Sequence, residues 1–235
     1  MLSYKLIRSN RKTIQIQILP DKTIEVRAPQ NVSEKRINNF VFSKEKWITE
    51  KIDEKREIAQ IPVNHFYVPG ETFYFRGRQY TLKSDNKFVK KGTVYLSGNN
   101  LVIQTKVKTP ESFQNTFVRW QKEKAREIFT ELFEECWNHF KNYYPKYEKP
   151  VLALRTMKTR WGSLSQSGKS KKARMTLNTL LVCSNKNCIK QVIYHELCHL
   201  VHPNHGREFY ETFKFFVPDW EMLKKELECL FIAKN

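Results

Sequence analysis

The sequence predicts an α+β protein in two successive parts: a small β-rich region with a helix over residues 1–110, and a helix-dominated part over 111–235 containing a short antiparallel sheet. Three observations predict it. Polar and apolar residues alternate through the first thirty positions, the period of a half-buried strand. Strand-like runs punctuated by glycine fill the stretch from Tyr67 to Val107. From Glu111 onward the apolar residues recur at helical spacing.

Taken in order, the runs YKLIRS…TIQIQIL and TIEVRAP flank Pro20-Asp21-Lys22, residues that turn a chain sharply, and together predict a hairpin over Tyr4 to Ala28. Ser33 reads as an N-cap. Behind it Ile37, Phe40, Val41, Trp47, Ile48 and Ile52 predict a helix running to about Ile58, broken near Ser43. ETFYFRGRQYTLK, KGTVYLS and NLVIQTK predict a small antiparallel sheet. Pro110 marks the boundary to a long amphipathic helix, Glu111 to Tyr144, whose many aromatic residues read as core packing rather than a cofactor site. After Pro150 the pattern is strand, basic loop (Ser165 to Arg174), strand and two helical stretches.

Composition bounds the function. The first thirty residues hold no continuous apolar segment of the kind that directs secretion, and nowhere do about 18 apolar residues run together, so no membrane role is expected and the protein is placed in the cytoplasm. The five cysteines are an odd set without a CxxC pair and read as reduced thiols. Cys183 and Cys188 are near enough in sequence to raise a second metal site, but they lack a companion pair. The formal charge of +18 attracts polyanions or phosphate groups, or serves solubility, and charge alone does not choose.

The chemistry concentrates in one string, Y-H-E-L-C-H-L-V-H-P-N-H-G, which contains four of the six histidines. His195 and His199 are four apart, so on a helix their imidazoles stack one turn above the other and reach one ion. Glu196 is rotated about 100° from His195, close enough to bond a water on that ion without ligating it. This composition produces HExxH by chance about one time in a hundred, and the apolar lead-in CIKQVIY argues against an exposed helix that carries it by accident. His202 would share the face of His195 and His199 but lies too far along the axis. A third ligand must come from across the gap, after the chain leaves the helix, and Pro203 and Asn204 supply that exit. His205 is the first histidine beyond it, with Glu208 and Glu211 as rivals. Three protein ligands leave a fourth position for water, the mark of a catalytic zinc, with Glu196 as general base. Arg160, Tyr194, His202, Arg207 and Tyr210 are candidate donors to developing negative charge, and Lys158 joins Arg160, His202, Arg207 and Tyr210 as candidate substrate-binding residues.

RTMKTRWGS (155–163), LNTLL (177–181), VIYHELCHL (192–200), NHGREFY (204–210) and PDW (218–220) resemble the YgjP-like metallopeptidase-domain family of bacteria and archaea, a relative of the SprT-like zincins. The N-terminal IRSNRKTIQIQI and TIEVRAP resemble that family's opening hairpin. The resemblance implies a zincin-like catalytic half with His195, His199 and His205 on zinc and Glu196 as base. Two departures stand out: Leu164 follows WGS where the family tends to place a cysteine, and the Ser165–Arg174 loop is longer and more basic.

Three readings of the function follow. A metallopeptidase polarises a peptide carbonyl, with an extended substrate pairing along the strand near Trp161. A nucleoside triphosphate (UTP-type) pyrophosphohydrolase, an activity the resemblance also implies, would neutralise polyphosphate with Lys158, Arg160, Lys169, Lys171, Lys172 and Arg174. A SprT-like, nucleic-acid-associated protease would dock DNA or RNA on the basic surface, although no DNA-reading motif occurs. The HExxH string defines the water chemistry and leaves peptide or nucleotide as substrate.

Overall fold

Strands β1 (Lys5–Ser9), β2 (Gln15–Ile18) and β3 (Ile24–Pro29) form the first sheet of a computed structural model that describes residues 2–19, 23–54, 65–85, 89–165 and 172–232. β3 is central, antiparallel to β2 as the hairpin reading expects and parallel to β1. The turn at Pro20-Asp21-Lys22 lies outside the described residues. Helices α1 (Glu34–Ser43) and α2 (Glu45–Glu54) follow, and the Ser33 hydroxyl accepts from the Arg36 N–H to cap the first. The expected long helix breaks at Lys44, whose N–H turns back to the Phe42 and Val41 carbonyls. Ile24, Val26 and Ala28 bury against Ile37, Val41 and Ile48, a core belonging to this N-terminal unit.

Two compact units result, residues 1–61 and 62–234. The division expected at Pro110 therefore falls inside the second. Its first sheet comprises β4 (Thr72–Phe75), β5 (Arg78–Ser84), β6 (Thr93–Ser97) and β7 (Asn100–Gln104), in the order β4-β5-β7-β6. Both hairpins are antiparallel, but β5 and β7 pair in parallel, so the sheet is mixed rather than antiparallel. Turn residues encode each hairpin locally, whereas the seam between hairpins is chosen by burial. The sheet's apolar face needs a cover, which α3 (Pro110–Tyr143) supplies: Phe73 meets Phe117 and Phe75 meets Trp120, each with ring centroids 4.7 Å apart. That contact is why the sheet and the long helix belong to one core. Although α3 is long, no helix among the described residues is long and apolar enough to cross a membrane.

The last sheet holds β8 (Val151–Arg155), β9 (Gly162–Ser165) and β10 (Arg174–Asn178), ordered β8-β10-β9. β9 pairs antiparallel with β10, while β8 pairs parallel to it, so this expected antiparallel sheet is also mixed. A 3-10 turn (Thr179–Cys183) leads into α4 (Lys186–Cys198). The expected second helical stretch is two helices, α5 (Arg207–Phe216) and α6 (Trp220–Ile232), because Pro218 between them has no N–H to continue the ladder.

Several contacts fix where α4 starts. Asn185 caps it by accepting from the Cys188 N–H at 2.9 Å. The β4–β5 turn abuts the same point: the N–H groups of Arg76 and Gly77 donate to the Val182 and Cys183 carbonyls at 2.8 and 2.9 Å. Gly77 has φ +75°, and a Cβ there would come within 2.9 Å of the Asn185 Cβ, so glycine serves both the turn and the close approach. Lys186 and Lys190 both pair with Glu135 on α3.

Candidate metal centre

Burial of Ile189, Val192, Ile193 and Leu197 pins one face of α4 to the core and leaves His195 and His199 at the margin. The helix ends at Cys198, earlier than Pro203, and the next turns loosen: the Leu200 N–H donates to the Leu197 carbonyl, and those of Val201 and His202 to Cys198. After Pro203 the Gly206 N–H donates to the Asn204 carbonyl at 2.9 Å and α5 begins. This reversal returns His205 to α4. One ring nitrogen from each of His195, His199 and His205 lies within 4.8 Å of the others, and the Nε2 atoms of His195 and His205 are 3.0 Å apart.

A tetrahedral ion with bonds of about 2.0–2.1 Å needs ligand nitrogens roughly 3.3–3.4 Å apart, so the triad has the size of a zinc site. Its chemistry fits as well. Burial, then the neighbouring His199 and His205, depresses His195 to about 4, and burial also lowers His199, so both rings are neutral near pH 7, the form that can bind a metal. His199 Nδ1 lies 3.1 Å from the His202 carbonyl, which makes Nδ1 the donor and leaves Nε2 as the free lone pair. The fully buried Phe209 touches all three imidazoles, with centroids 5.0, 4.8 and 4.6 Å from His195, His199 and His205. Sequence reasoning gave Phe209 no role; its only signal is apolarity at the fourth position after His205.

Glu196 is 5% exposed. Burial raises its carboxyl to about 7, against the opposing pull of the Leu164 backbone N–H and the Arg160 charge. The group can therefore hold or release a proton near neutral pH. Leu164, the departure from the family pattern, acts on Glu196 through its backbone N–H, which any residue but proline supplies.

The other candidates separate. Neither Glu208 nor Glu211 belongs to the cluster: the Glu208 side chain is 84% exposed, and Glu211 pairs with Arg207 at 2.6 Å. Arg207 is itself on the surface, 91% exposed. His202 contributes its carbonyl to His199, while its Nε2 meets Thr212 Oγ1 at 3.1 Å. Tyr210 is partly exposed, with its ring 6.3 Å from that of His205, and lines a groove of about 540 Å³ with Arg207 and Trp220. Tyr194 points away: its hydroxyl meets His139 Nδ1 of α3 at 2.9 Å and its ring stacks on Phe216, so its place is in the core. Cys183 Sγ accepts from Gln121 while Cys188 Sγ donates to the Leu223 carbonyl, and the described residues form no metal cluster around them.

Lys158 and Arg160 are exposed on the β8–β9 loop. Asn178, fully buried, organises that loop: its side-chain N–H groups donate to the Met157 and Arg160 carbonyls at 2.9 Å each, and its Oδ1 accepts from Met157 and Leu180. Sequence reasoning missed Asn178, although an asparagine closing an apolar strand was a usable signal. Of the basic loop, Lys172 and Arg174 are exposed, while Lys169 and Lys171 lie outside the described residues.

A family model described as YgjP-like, metallopeptidase domain, matches residues 12–229. Among solved structures, the crystal structure of the metallopeptidase zymogen of Methanocaldococcus jannaschii jannalysin is similar at 22% identity and TM-score 0.33, covering 42% of this chain and 93% of its own. No curated protein matches the chain.

Proposed function

The chain belongs to the YgjP-like metallopeptidase-domain family, and from that membership we propose a zinc-dependent peptidase in which His195, His199 and His205 hold the ion and Glu196 is the general base. The observation that carries this reading is the convergence of three imidazole nitrogens within 4.8 Å beside a buried carboxyl. Bound there, zinc would act as a Lewis acid toward the substrate carbonyl and the attacking water. Glu196 takes the proton of that water as its oxygen bonds to the peptide carbon. The same carboxyl then gives the proton to the amine as the C–N bond breaks. Arg160, whose charge reaches Glu196, is the candidate to steady the developing negative charge.

Peptide is favoured as substrate because β9 lies at the edge of its sheet and runs on from the residue packed against Glu196, so an extended chain can add to it as a further strand. The test is to incubate zinc-loaded protein with an unfolded protein and, separately, with a nucleotide panel, using Glu196→Gln as control. New amino termini in the wild type alone support the peptidase. Pyrophosphate release without peptide cleavage would support the nucleotide reading, with Lys158 and Arg160 as phosphate partners.

A further inference from the structure

Gly162 opens β9 where that strand crosses α4. A Cβ built on it would lie 2.6 Å from Glu196 Oε1, 2.9 Å from Glu196 Cγ and 2.9 Å from Val192 Cγ1. Val192 and Glu196 are one helical turn apart, so Gly162 seats its backbone in the notch between their side chains. The carboxylate oxygen alone could swing aside. Glu196 Cγ and the β-branched Val192 are held by a buried helix face and cannot yield as far. Gly162 is at an ordinary backbone conformation, so the glycine is required by proximity and not by a left-handed turn.

We infer that Gly162 is a positioning residue: the absence of its side chain lets β9 press directly on Glu196 and fixes the carboxylate in the one place it can occupy. The strand contributes from two sides. The backbone at Gly162 fills the space into which the Glu196 side chain could rotate, and the Leu164 N–H, two residues on, donates to the same carboxylate. Asn178 and the Asn178 N–H to Trp161 carbonyl bond of 2.8 Å hold the approach of the strand from behind. The glycine of the Trp-Gly-Ser string thus serves the same chemistry as the HExxH string thirty-odd positions later.

The catalytic part of this inference rests on the peptidase reading, whereas the contact itself is testable without turnover. Gly162→Ala is expected to keep the metal content of the wild type, to lower kcat for peptide cleavage about 100-fold as the carboxylate is displaced by roughly 1 Å, and to change KM less than about threefold. In metal-free protein, Gly162→Ala should lower Tm by about 3–6 °C, and by about half as much in a Glu196→Ala background, where Cγ and the carboxylate are gone and only the Val192 contact remains. Equal Tm losses in both backgrounds, or an active Gly162→Ala enzyme with kcat within threefold of the wild type, overturns the inference. If Gly162→Ala fails to fold, Gly162→Ala combined with Val192→Ala and Glu196→Ala is expected to fold; failure of both would show that the strand presses against neither side chain. A wild type that cleaves no peptide would count against the peptidase reading, and the thermal cycle would still decide the contact.

Discussion

His195 and His205 bring their Nε2 atoms to 3.0 Å although ten positions separate them, and the chain between them leaves α4, turns at Pro203 and comes back to do so. Two ring nitrogens at that distance must either share one proton or share a cation between them. Depression of His195 to about 4 by burial and neighbouring imidazoles favours neutral rings, which are metal ligands.

The purified protein is therefore expected to hold about one zinc per chain, and His199→Ala or His205→Ala to hold far less. Glu211→Ala should keep the full complement, because Glu211 pairs with Arg207 on the surface. Elemental analysis after dialysis measures this. Full occupancy in His205→Ala with loss in Glu211→Ala would hand the third position to the glutamate.

Glu196→Gln should retain metal and fold while losing turnover by about 10²–10⁴-fold, since the amide can hold water in place but cannot take its proton. Metal content and kcat measured on the same preparation decide the matter. Undiminished turnover in a metal-replete variant would mean that another group is the base.

In metal-free protein the two perturbed groups act in opposite directions. Glu196 is raised from 4.5 to about 7, so its contribution to stability is intact below pH 4.5 and lost as pH rises through 7. His195 is depressed from 6.5 to about 4, so its contribution is intact above pH 6.5 and lost as pH falls toward 4. Glu196→Gln removes only the first effect. Its stability relative to wild type should rise between pH 4.5 and 7 and then level off, the gain reaching about 3 kcal/mol and read as a raised Tm. Melting curves in chelator at pH 4.5 and pH 8 test it, and an equal offset at both values would show that Glu196 titrates normally.

Asn178→Ala removes four hydrogen bonds, three of them to the loop carrying Lys158 and Arg160, and leaves two carbonyls of that loop without their donors. A loss of about 2–4 kcal/mol is expected, with a fall in kcat larger than the rise in KM as the loop holding Arg160 loosens. Denaturant unfolding and steady-state kinetics read the two effects. A kcat unchanged in a destabilised variant would confine Asn178 to stability alone.

His202→Ala should lower zinc occupancy little, because His202 reaches His199 through its backbone carbonyl and its side chain bonds Thr212 instead. Competition with a chelator compares the affinities. A loss matching that of His199→Ala would place the His202 ring on the metal.

What could be read from the residues in order was what depends on neighbours in the chain. The pairing of His195 with His199, the placing of Glu196 beside them, the Ser33 cap, the break near Ser43 and the long aromatic helix all follow from the 3.6-residue period and local capping, which hold wherever the helix sits. The tertiary structure decided what depends on distant partners. Hydrophobic alternation says that β1, β5 and β8 are strands, but their parallel pairing with β3, β7 and β10 depends on which apolar face found a cover, and Pro110 ended no unit because Phe117 and Trp120 bury against β4. His205 was one of three candidates until the chain reversal after α4 carried it, and neither Glu208 nor Glu211, to the helix. Gly162 against Glu196 and Asn178 under the Arg160 loop likewise leave only a faint mark on the sequence, since each is a contact across more than fifteen positions whose only local trace is a residue type that strands disfavour. Helical period is a property of adjacent bonds, while close packing is a property of the folded whole.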